Sequence, residues 1–284
     1  MSKGLNFEGL AALVTGAASG IGRALSLELA ARGCDMAIAD VDLPGLESLA
    51  EEIKSTYSRR VLLERVDVAD LPNVQAFAQA VIAAYPNLSI VVNNAGVALR
   101  GDFEEIDHAQ MQWLMGVNFW GVVHGTRALL PHLERRPRAH IVNLSSIFGI
   151  VAPPGQCAYA AAKFAVRGFS EALRHELAAK KSPVRVTVVH PGGVATNIVR
   201  SAPAGARLKS TMSASEVAER FDEIARTKPR AAALRIIRGI ERSEPRVLIG
   251  SDARLMELIQ RLRPVTYWSI MARSLKRISG PRGR

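Results

Sequence analysis

The sequence has little cysteine, no long apolar run and no internal repeat or low-complexity segment. Two cysteines, Cys34 and Cys157, are too few for a disulfide framework and fit a reducing compartment. No stretch reaches the ~18 apolar residues of a transmembrane helix, and residues 1–7 are too short and polar for a signal peptide. We therefore expect a cytoplasmic protein. The 284 residues, 48% of them hydrophobic, are enough for one large core or two small ones.

Basic residues are concentrated in the last third of the chain. Residues 200–284 hold 19 Lys and Arg against 8 Asp and Glu, whereas residues 1–199 are neutral. Such an excess suits nucleic acid, an anionic membrane or an acidic substrate, and it also suits a simple solvated basic face. Nucleic acid is the least favoured partner, because aromatics make up only 5% of the residues and no known binding motif is present.

A glycine-rich turn follows the first apolar run. The run Leu10–Thr15 predicts a buried parallel strand, and an apolar pattern of helical period leads from the turn to Gly33. The turn between them reads Gly16-Ala17-Ala18-Ser19-Gly20-Ile21-Gly22. Strand, glycine turn and helix in this order predict a pyrophosphate site, since glycines allow close backbone approach and a helix N-terminus attracts anions.

An acid ends the next predicted strand. Asp40 closes Met36–Asp40, 24 residues after Gly16, where a carboxylate can accept hydrogen bonds from the ribose hydroxyls of NAD. It would repel the 2′-phosphate of NADP. Val41 rather than arginine follows it, and Ala18 lies inside the turn where a basic residue could bind that phosphate. The sequence therefore predicts NAD, with NADP the less favoured cofactor.

Strand and helix patterns continue to alternate along the chain, which predicts a parallel sheet covered by helices on both faces. Predicted helices span residues 46–53, 74–84, 108–132, 157–179, 214–227 and 231–242, and predicted strands span 61–66, 88–92, 139–144, 184–189 and 246–249. Ligands bind at the carboxyl ends of such strands, where Asp67, Val68, Asn93, Ala95 and Gly96 all lie.

Tyr159 and Lys163 lie four residues apart on a predicted helix and should share one face. A phenol must lose roughly 3 pKa units, about 4 kcal/mol, to act as a base near neutrality. An ammonium about 4 Å away supplies about 4 kcal/mol at an effective dielectric of about 20. Lys163 could therefore turn Tyr159 into a proton-transfer group, while Ser146, at the end of a strand, could donate to a substrate oxygen.

These motifs together resemble the short-chain dehydrogenase/reductase family. The resemblance rests on Gly16-x-x-x-Gly20-x-Gly22, Asn93-Asn94-Ala95-Gly96, Ser146, Tyr159-x-x-x-Lys163 and Pro191-Gly192, in the family's order and spacing over roughly residues 7–250. It implies an α/β fold: a doubly wound parallel sheet of about seven strands, with helices on both faces. That Rossmann-type catalytic domain would span residues 7–250, followed by a basic amphipathic helical extension over 251–284.

The resemblance also implies roles. Tyr159 would be the acid/base, Ser146 would position the substrate oxygen, Lys163 would lower the tyrosine pKa and bind the nicotinamide ribose, and Asn118 would anchor a water that relays protons to Lys163. The family's thirteen-residue spacing to Tyr159 favours Ser146 over Ser145. Residues implied to bind cofactor are Gly16, Ser19, Gly20, Ile21, Gly22, Asp40, Asp67, Val68, Asn94, Ala95, Gly96, Tyr159, Lys163, Pro191, Gly192, Val194 and Thr196. No metal site is predicted.

The predicted function is hydride transfer between a nicotinamide cofactor and a secondary alcohol or ketone. The resemblance implies that the loop-like, largely polar segment Ala195 to Met212 covers the substrate. This lid and the apolar tail together suggest a hydrophobic substrate such as a steroid, retinoid or acyl chain. A homodimer or homotetramer is implied. The alternatives are a nucleotide-binding scaffold without chemistry, against which the intact Ser146, Tyr159 and Lys163 argue, and a surface-binding protein that uses its basic third.

Two apolar stripes mark the predicted extension. The first is Leu255, Leu258, Ile259 and Leu262, and the second, after Pro264, is Trp268, Met271, Leu275 and Ile278 beside Arg273, Lys276 and Arg277. The stripes fit packing on the chain's own domain, packing on a partner subunit, or a peripheral membrane contact. We expect the extension to serve location or assembly rather than hydride transfer.

Overall fold

The computed structural model describes residues 6–208 and 213–272. Seven parallel strands form one sheet in the order β3-β2-β1-β4-β5-β6-β7. The strands are β1 Ala11–Thr15, β2 Asp35–Asp40, β3 Val61–Arg65, β4 Leu88–Asn93, β5 Ala139–Leu144, β6 Val184–Pro191 and β7 Arg246–Ile249. This confirms the predicted doubly wound sheet. Because β1 lies between β2 and β4, the strand order reverses there, and a crevice opens at the carboxyl ends of the strands.

Nine helices of the described residues connect and cover the strands. They are α1 Gly20–Ala30, α2 Leu43–Tyr57, α3 Leu71–Ala84, α4 His108–Met115, α5 Gly121–Leu133, α6 Cys157–Ala179, α7 Ala214–Ile224, α8 Pro229–Glu241 and α9 Ser251–Leu262. None of the helices in the described ranges is long and apolar enough to cross a bilayer.

The core has a layer on each face of the sheet, as the near-continuous apolar strands require. On one face, α1, α2 and α8 bury Leu25, Leu49 and Ile236 against β1 residues of one parity. On the other face, α3, α5 and α6 bury side chains such as Phe77 and Leu129 against residues of the opposite parity. Alternate residues of β1 thus serve both layers.

Two helices begin three residues earlier than predicted. Asp42 accepts a hydrogen bond from the Gly45 N–H at 3.1 Å, and Asp70 accepts one from the Asn73 N–H at 3.2 Å. In both helices the aspartate is the N-cap, and a proline occupies the first turn, where its missing N–H costs nothing. The sequence Asp-Leu-Pro was the overlooked start signal.

The predicted single helix over 108–132 is wrong in its middle. A π-helical segment, Gly116–Trp120, separates α4 from α5. Asn118, fully buried, bonds the backbone of Val97 in both directions, accepting from its N–H and donating to its C=O at 2.8 Å each. The extra residue of a π turn is a common feature at functional sites, and here it accompanies the inward side chain of Asn118.

The predicted helix after Ser213 ends early. Ser213 and Glu216 form the expected capping box, but α7 stops at Ile224 because Thr227 pairs in an isolated bridge with Val194 and donates its N–H to the Gly193 carbonyl. The chain must therefore leave the helix before residue 227.

Candidate active site

The glycine turn lies against the end of β4. Gly16 has φ +64°, and a Cβ there would come within 2.7 Å of the Ala95 Cα. The side chain of Asn94 donates to the carbonyls of Thr15 and Gly16 at 2.9 and 3.0 Å, and the Thr15 hydroxyl accepts from the N–H groups of Asn94 and Ala95 at 3.1 Å each. Asn94 therefore holds the turn in place.

The start of α1 is open to an anion. Ser19, the N-cap residue, makes no side-chain capping bond, and the first turn contains no acid. The N–H groups of Gly20, Ile21 and Gly22 thus begin a helix with no side chain to accept them, the arrangement that suits a phosphate. Thr196 reaches the same place from the loop after β6, since a Cβ on Gly20 would lie 3.1 Å from its methyl group. The residues fit a pyrophosphate.

Asp40 faces this turn. One of its oxygens accepts from the Ala18 N–H at 2.9 Å, and the other accepts from the Asp42 N–H at 3.2 Å. The expectation that no basic neighbour is present is wrong: β3 pairs Arg65 opposite Asp40, and the Arg65 guanidinium donates to the Val41 carbonyl at 3.1 Å. Parallel pairing brings this arginine in from 25 positions away, beyond the reach of a local sequence motif.

The next strand end carries Asp67 and Val68, two of the residues expected to bind the cofactor. Asp67 is exposed and accepts from the Ala69 N–H at 2.9 Å, while Val68 is buried and its carbonyl contacts His124 Nδ1 at 3.1 Å. Both lie after β3, on the same edge of the sheet as Asp40.

Ser146, Tyr159 and Lys163 come together between β5 and α6. The Ser146 hydroxyl is hydrogen-bonded to the Tyr159 phenol and accepts from the Phe148 N–H at 3.1 Å. The Lys163 Nζ lies 5.7 Å from the centre of the Tyr159 ring and donates to the Leu144 carbonyl at 3.0 Å. Ser145 points elsewhere, donating to the Lys163 carbonyl at 2.8 Å. The spacing argument and the geometry favour the same serine.

The pKa values correct one expectation. Burial raises the pKa of Tyr159 to about 12, a rise that the hydrogen bond with Ser146 opposes, and burial lowers the pKa of Lys163 to about 8. In the protein alone, therefore, burial outweighs any lowering of the tyrosine pKa by the Lys163 ammonium. At pH 7 Tyr159 is protonated and Lys163 is largely charged. The expectation of an ion pair about 4 Å apart at an effective dielectric of about 20 left out the desolvation of both groups.

Asn118 lies next to Lys163, on the other side of Gly96. A Cβ on Gly96 would be 3.2 Å from the Asn118 Oδ1 and 3.4 Å from the Lys163 Nζ, so both residues flank the same backbone. The Asn118 side chain is engaged with Val97. Its expected role in a water relay stays a prediction.

Apolar side chains surround the tyrosine. Tyr159 packs with the cluster that contains Leu99 and Leu114, and Phe148 meets its ring edge-on with centres 6.3 Å apart. The segment after Ala195, which is predicted to cover the substrate, is described as far as residue 208. It is hydrogen-bonded to α4, because Gln110 donates to the Ala204 carbonyl at 2.9 Å. The site is a phenol and a hydroxyl in apolar surroundings.

Comparisons with known proteins agree with this geometry. The family model of the short chain dehydrogenases matches residues 10–206. The chain belongs to that family. It is an oxidoreductase of the dehydrogenase/reductase class, as the match and its relatives show.

Three relatives of this short-chain dehydrogenase illustrate the likeness. SadH of Mycobacterium tuberculosis, named as an oxidoreductase, is 41% identical over 269 residues, which cover 94% of this chain and 95% of SadH. The 3-oxoacyl-[acyl-carrier-protein] reductase FabG of Thermotoga maritima is 32% identical over 203 residues, 72% of this chain and 81% of FabG. A crystal structure of a short-chain dehydrogenase/reductase from Burkholderia phymatum in complex with NAD superimposes with a TM-score of 0.81 at 29% identity, covering 91% of this chain and 96% of that one.

Sequence reasoning missed three residues of this dehydrogenase that support the site. His190, fully buried at the end of β6, contacts the Ser146 carbonyl through Nδ1 at 2.8 Å. The Tyr267 hydroxyl accepts from the Ala152 N–H at 3.0 Å, beyond the 3₁₀ turn Ile147–Gly149 that follows Ser146. Asp252 accepts from the Gly193 N–H at 2.7 Å. Local patterns could not reveal them, because each acts 44 to 115 residues away from its partner.

The extension is therefore not independent of the active site. Met256 and Ile259 of α9, with Tyr267, Trp268 and buried Met271, pack on the segment after Ser146. Of the alternatives, packing on the chain's own domain describes Met271, which is buried, and Trp268, which is partly buried. The expectation that the extension serves location or assembly stays a prediction. Leu275 and Ile278 lie outside the described residues.

Replacing Asp252 by alanine is expected to weaken cofactor binding and to lower the free energy of unfolding by about 1–3 kcal/mol, since a charge-assisted hydrogen bond to the Gly193 N–H is lost. Asp252→Asn should retain most of both. Urea unfolding and a cofactor titration on the same samples measure the two effects. An alanine variant with normal cofactor affinity would contradict a positioning role for Asp252 at the Pro191–Gly193 loop.

Proposed function

We propose that the enzyme uses NAD to interconvert a hydrophobic secondary alcohol and its ketone. The observation that carries the proposal is the grouping of Ser146, Tyr159 and Lys163 within apolar side chains, beside a glycine turn suited to a pyrophosphate. The NAD-bound relative and the relative named as a 3-oxoacyl reductase support a nicotinamide cofactor and a carbonyl substrate.

The bound nicotinamide would supply or accept the hydride. The chain's own residues do the rest. Tyr159, protonated at neutral pH, holds the proton that a reduced carbonyl oxygen takes up. Ser146 accepts from the Phe148 N–H, so its own O–H is available to donate to the phenol or to the substrate oxygen. The Lys163 ammonium, held by the Leu144 carbonyl, provides positive charge below the site. These catalytic roles are part of the proposal.

The apolar surroundings support the substrate class. Phe148, partly exposed beside the Tyr159 ring, gives a small polar substrate little to bind, whereas a steroid, retinoid or acyl chain would bury apolar area against it. A panel of secondary alcohols and ketones of graded hydrophobicity, read by nicotinamide absorbance, tests this. Turnover restricted to short polar alcohols would reject the hydrophobic class, and no turnover on any member would favour a scaffold without chemistry.

The preference for NAD over NADP is expected to be at least tenfold, about 1.4 kcal/mol. Asp40 would oppose a 2′-phosphate by like charge, whereas Arg65, set beside it, would attract one. Asp40 is the closer to the turn, because it bonds the Ala18 N–H, and Arg65 is tied to the Val41 carbonyl. Titration of both cofactors measures the preference.

Two variants separate these opposed charges. Asp40→Ala should weaken NAD binding and improve NADP binding, and Arg65→Ala is the matched control that should leave NAD binding unchanged. Tighter binding of NADP than of NAD by the unaltered enzyme would overturn the preference without touching the proposed chemistry.

A further inference from the structure

The outward face of α9 is apolar and exposed. Leu255, Leu258 and Leu262 recur at the spacing of one helix face and are 58%, 53% and 69% exposed, and Val265, just beyond the helix, is 89% exposed. The adjoining face is already covered, because Met256 and Ile259 pack toward the loop after Ser146. The helix therefore presents a second apolar surface, which the described residues 6–208 and 213–272 leave exposed.

The charges of α9 are sorted between its two faces. Its acids point to the protein: Asp252 accepts from the Gly193 N–H at 2.7 Å, and Glu257 is paired with Arg246 of β7 at 3.0 Å. Its arginines, Arg254 and Arg261, are exposed on the side of the leucines. Arg261 also reaches Glu257 at 3.1 Å, but its side chain stays 65% exposed. The outer face thus combines leucines with positive charge.

The sequence that follows adds more positive charge. Residues 273–284 contain five Lys and Arg and no acid. A second copy of this chain seated on the same face would bring arginine against arginine, and residues 273–284 folded back on it would do the same. A partner for this face must instead have negative charge at its surface and an apolar layer beneath it, as an anionic bilayer does.

We propose that the outer face of α9, formed by Arg254, Leu255, Leu258, Arg261, Leu262 and Val265, docks on the surface of an anionic lipid bilayer. The leucines enter the boundary between headgroups and acyl chains, and the arginines contact lipid phosphates. Because the inner face of α9 packs on the segment after Ser146, docking holds the active-site side of the domain next to the lipid. The proposal does not depend on which substrate the enzyme uses.

The experiment is co-sedimentation of the full chain with vesicles of phosphatidylcholine alone and of phosphatidylcholine with 30% phosphatidylglycerol. Two arginine charges are reversed in Arg254→Glu/Arg261→Glu. The matched control, Lys180→Glu/Lys181→Glu, changes the net charge equally. These two exposed residues follow the C-terminus of α6, at the end of that helix away from Tyr159. Leu258→Gln/Leu262→Gln tests the apolar part. Thermal unfolding midpoints and molecular mass by light scattering are measured for every variant.

The unaltered chain is expected to bind the anionic vesicles and to lose most binding between 0.1 and 1 M salt, as the Debye length falls from ~10 to ~3 Å. The arginine reversal should weaken binding at least tenfold, and so should the leucine pair, whereas the lysine reversal should not. Folding midpoints near that of the unaltered chain ensure that any loss is local.

Three results would overturn the proposal. They are an unaltered chain that does not sediment with anionic vesicles, an equal loss of binding in the lysine control, and a fall in molecular mass in the leucine variant without any change in vesicle binding. The last result would assign the face to a second copy of the chain.

Discussion

Tyr159→Phe is expected to reduce turnover by about 10²- to 10⁴-fold, the usual contribution of a positioned general acid or base. The phenylalanine ring keeps the packing against the Leu99 and Leu114 cluster and the edge-on contact with Phe148. Only the hydroxyl that bonds Ser146 is removed. Cofactor affinity should therefore be nearly unchanged, as a fluorescence titration of the variant would measure.

Lys163→Ala is the informative comparison. It removes a charge held at the Leu144 carbonyl, close to Gly96 in the proposed cofactor site, so it should lower both turnover and cofactor affinity. The two variants thus differ in binding although both lose activity. If Tyr159→Phe keeps more than a tenth of the rate on a true substrate, the assignment of Tyr159 as the proton-transfer group is wrong.

Acidification is expected to destabilise the fold well above the pH at which most carboxylates titrate. Burial lowers the pKa of His140 to about 3 and that of His190 to about 4. In the unfolded chain both would bind a proton near pH 6.5. The unfolded state therefore binds more protons below pH 6.5, and the free energy of unfolding falls as the pH drops from 6.5 toward 4.

The loss should be large. Each histidine contributes about 1.4 kcal/mol per pH unit below its unfolded pKa, which gives about 2–3 kcal/mol for each at pH 4.5. Native domains have about 5–15 kcal/mol in total. His140 Nε2 contacts the Thr187 hydroxyl at 2.8 Å, and His190 Nδ1 contacts the Ser146 carbonyl. Arg185 disfavours a charge on His140 and Arg246 and Arg167 disfavour one on His190, with Glu171 in opposition at the latter.

Urea unfolding at pH 7.0, 6.0, 5.0 and 4.5 measures this dependence. His190→Gln removes one of the buried imidazoles and should flatten the slope, even if it lowers stability at pH 7. An unfolding free energy that stays constant from pH 6.5 to 4.5 in the unaltered chain would show that the two histidines do not stay neutral in the folded state.

The fold followed closely from sequence because its signals are local. Apolar runs and the helical period around Leu25 and Leu29 specified strands and helices one at a time, and the five motifs fixed their family. Element ends were less accurate where the signal was a cap such as Asp42 or Asp70. Both aspartates are visible in the sequence, but the predicted helix starts were taken from the apolar pattern alone.

The candidate site shows the same difference between local signals and contacts that are distant in sequence. Residues on one turn or one helix, such as Tyr159 and Lys163, could be placed together from spacing. Arg65, His190 and Tyr267 could not, because sheet register and the path of the extension decide their neighbours. The direction of the Tyr159 pKa also escaped prediction, since it depends on desolvation by side chains that are distant in sequence.

The hydrogen bonds between Asn94 and the glycine turn have a consequence for biosynthesis. Thr15 and Asn94 are 79 residues apart, and they are joined only once β4 has paired with β1. A nascent chain that has emerged no further than β3 possesses every glycine of the turn and Asp40, which accepts from the Ala18 N–H, but it lacks the Asn94 side chain that bonds Thr15 and Gly16. Nucleotide would then associate with the completed central strands and not with the emerging N-terminal half, so cellular cofactor concentration would govern late folding steps and the lifetime of the finished enzyme, rather than its first collapse.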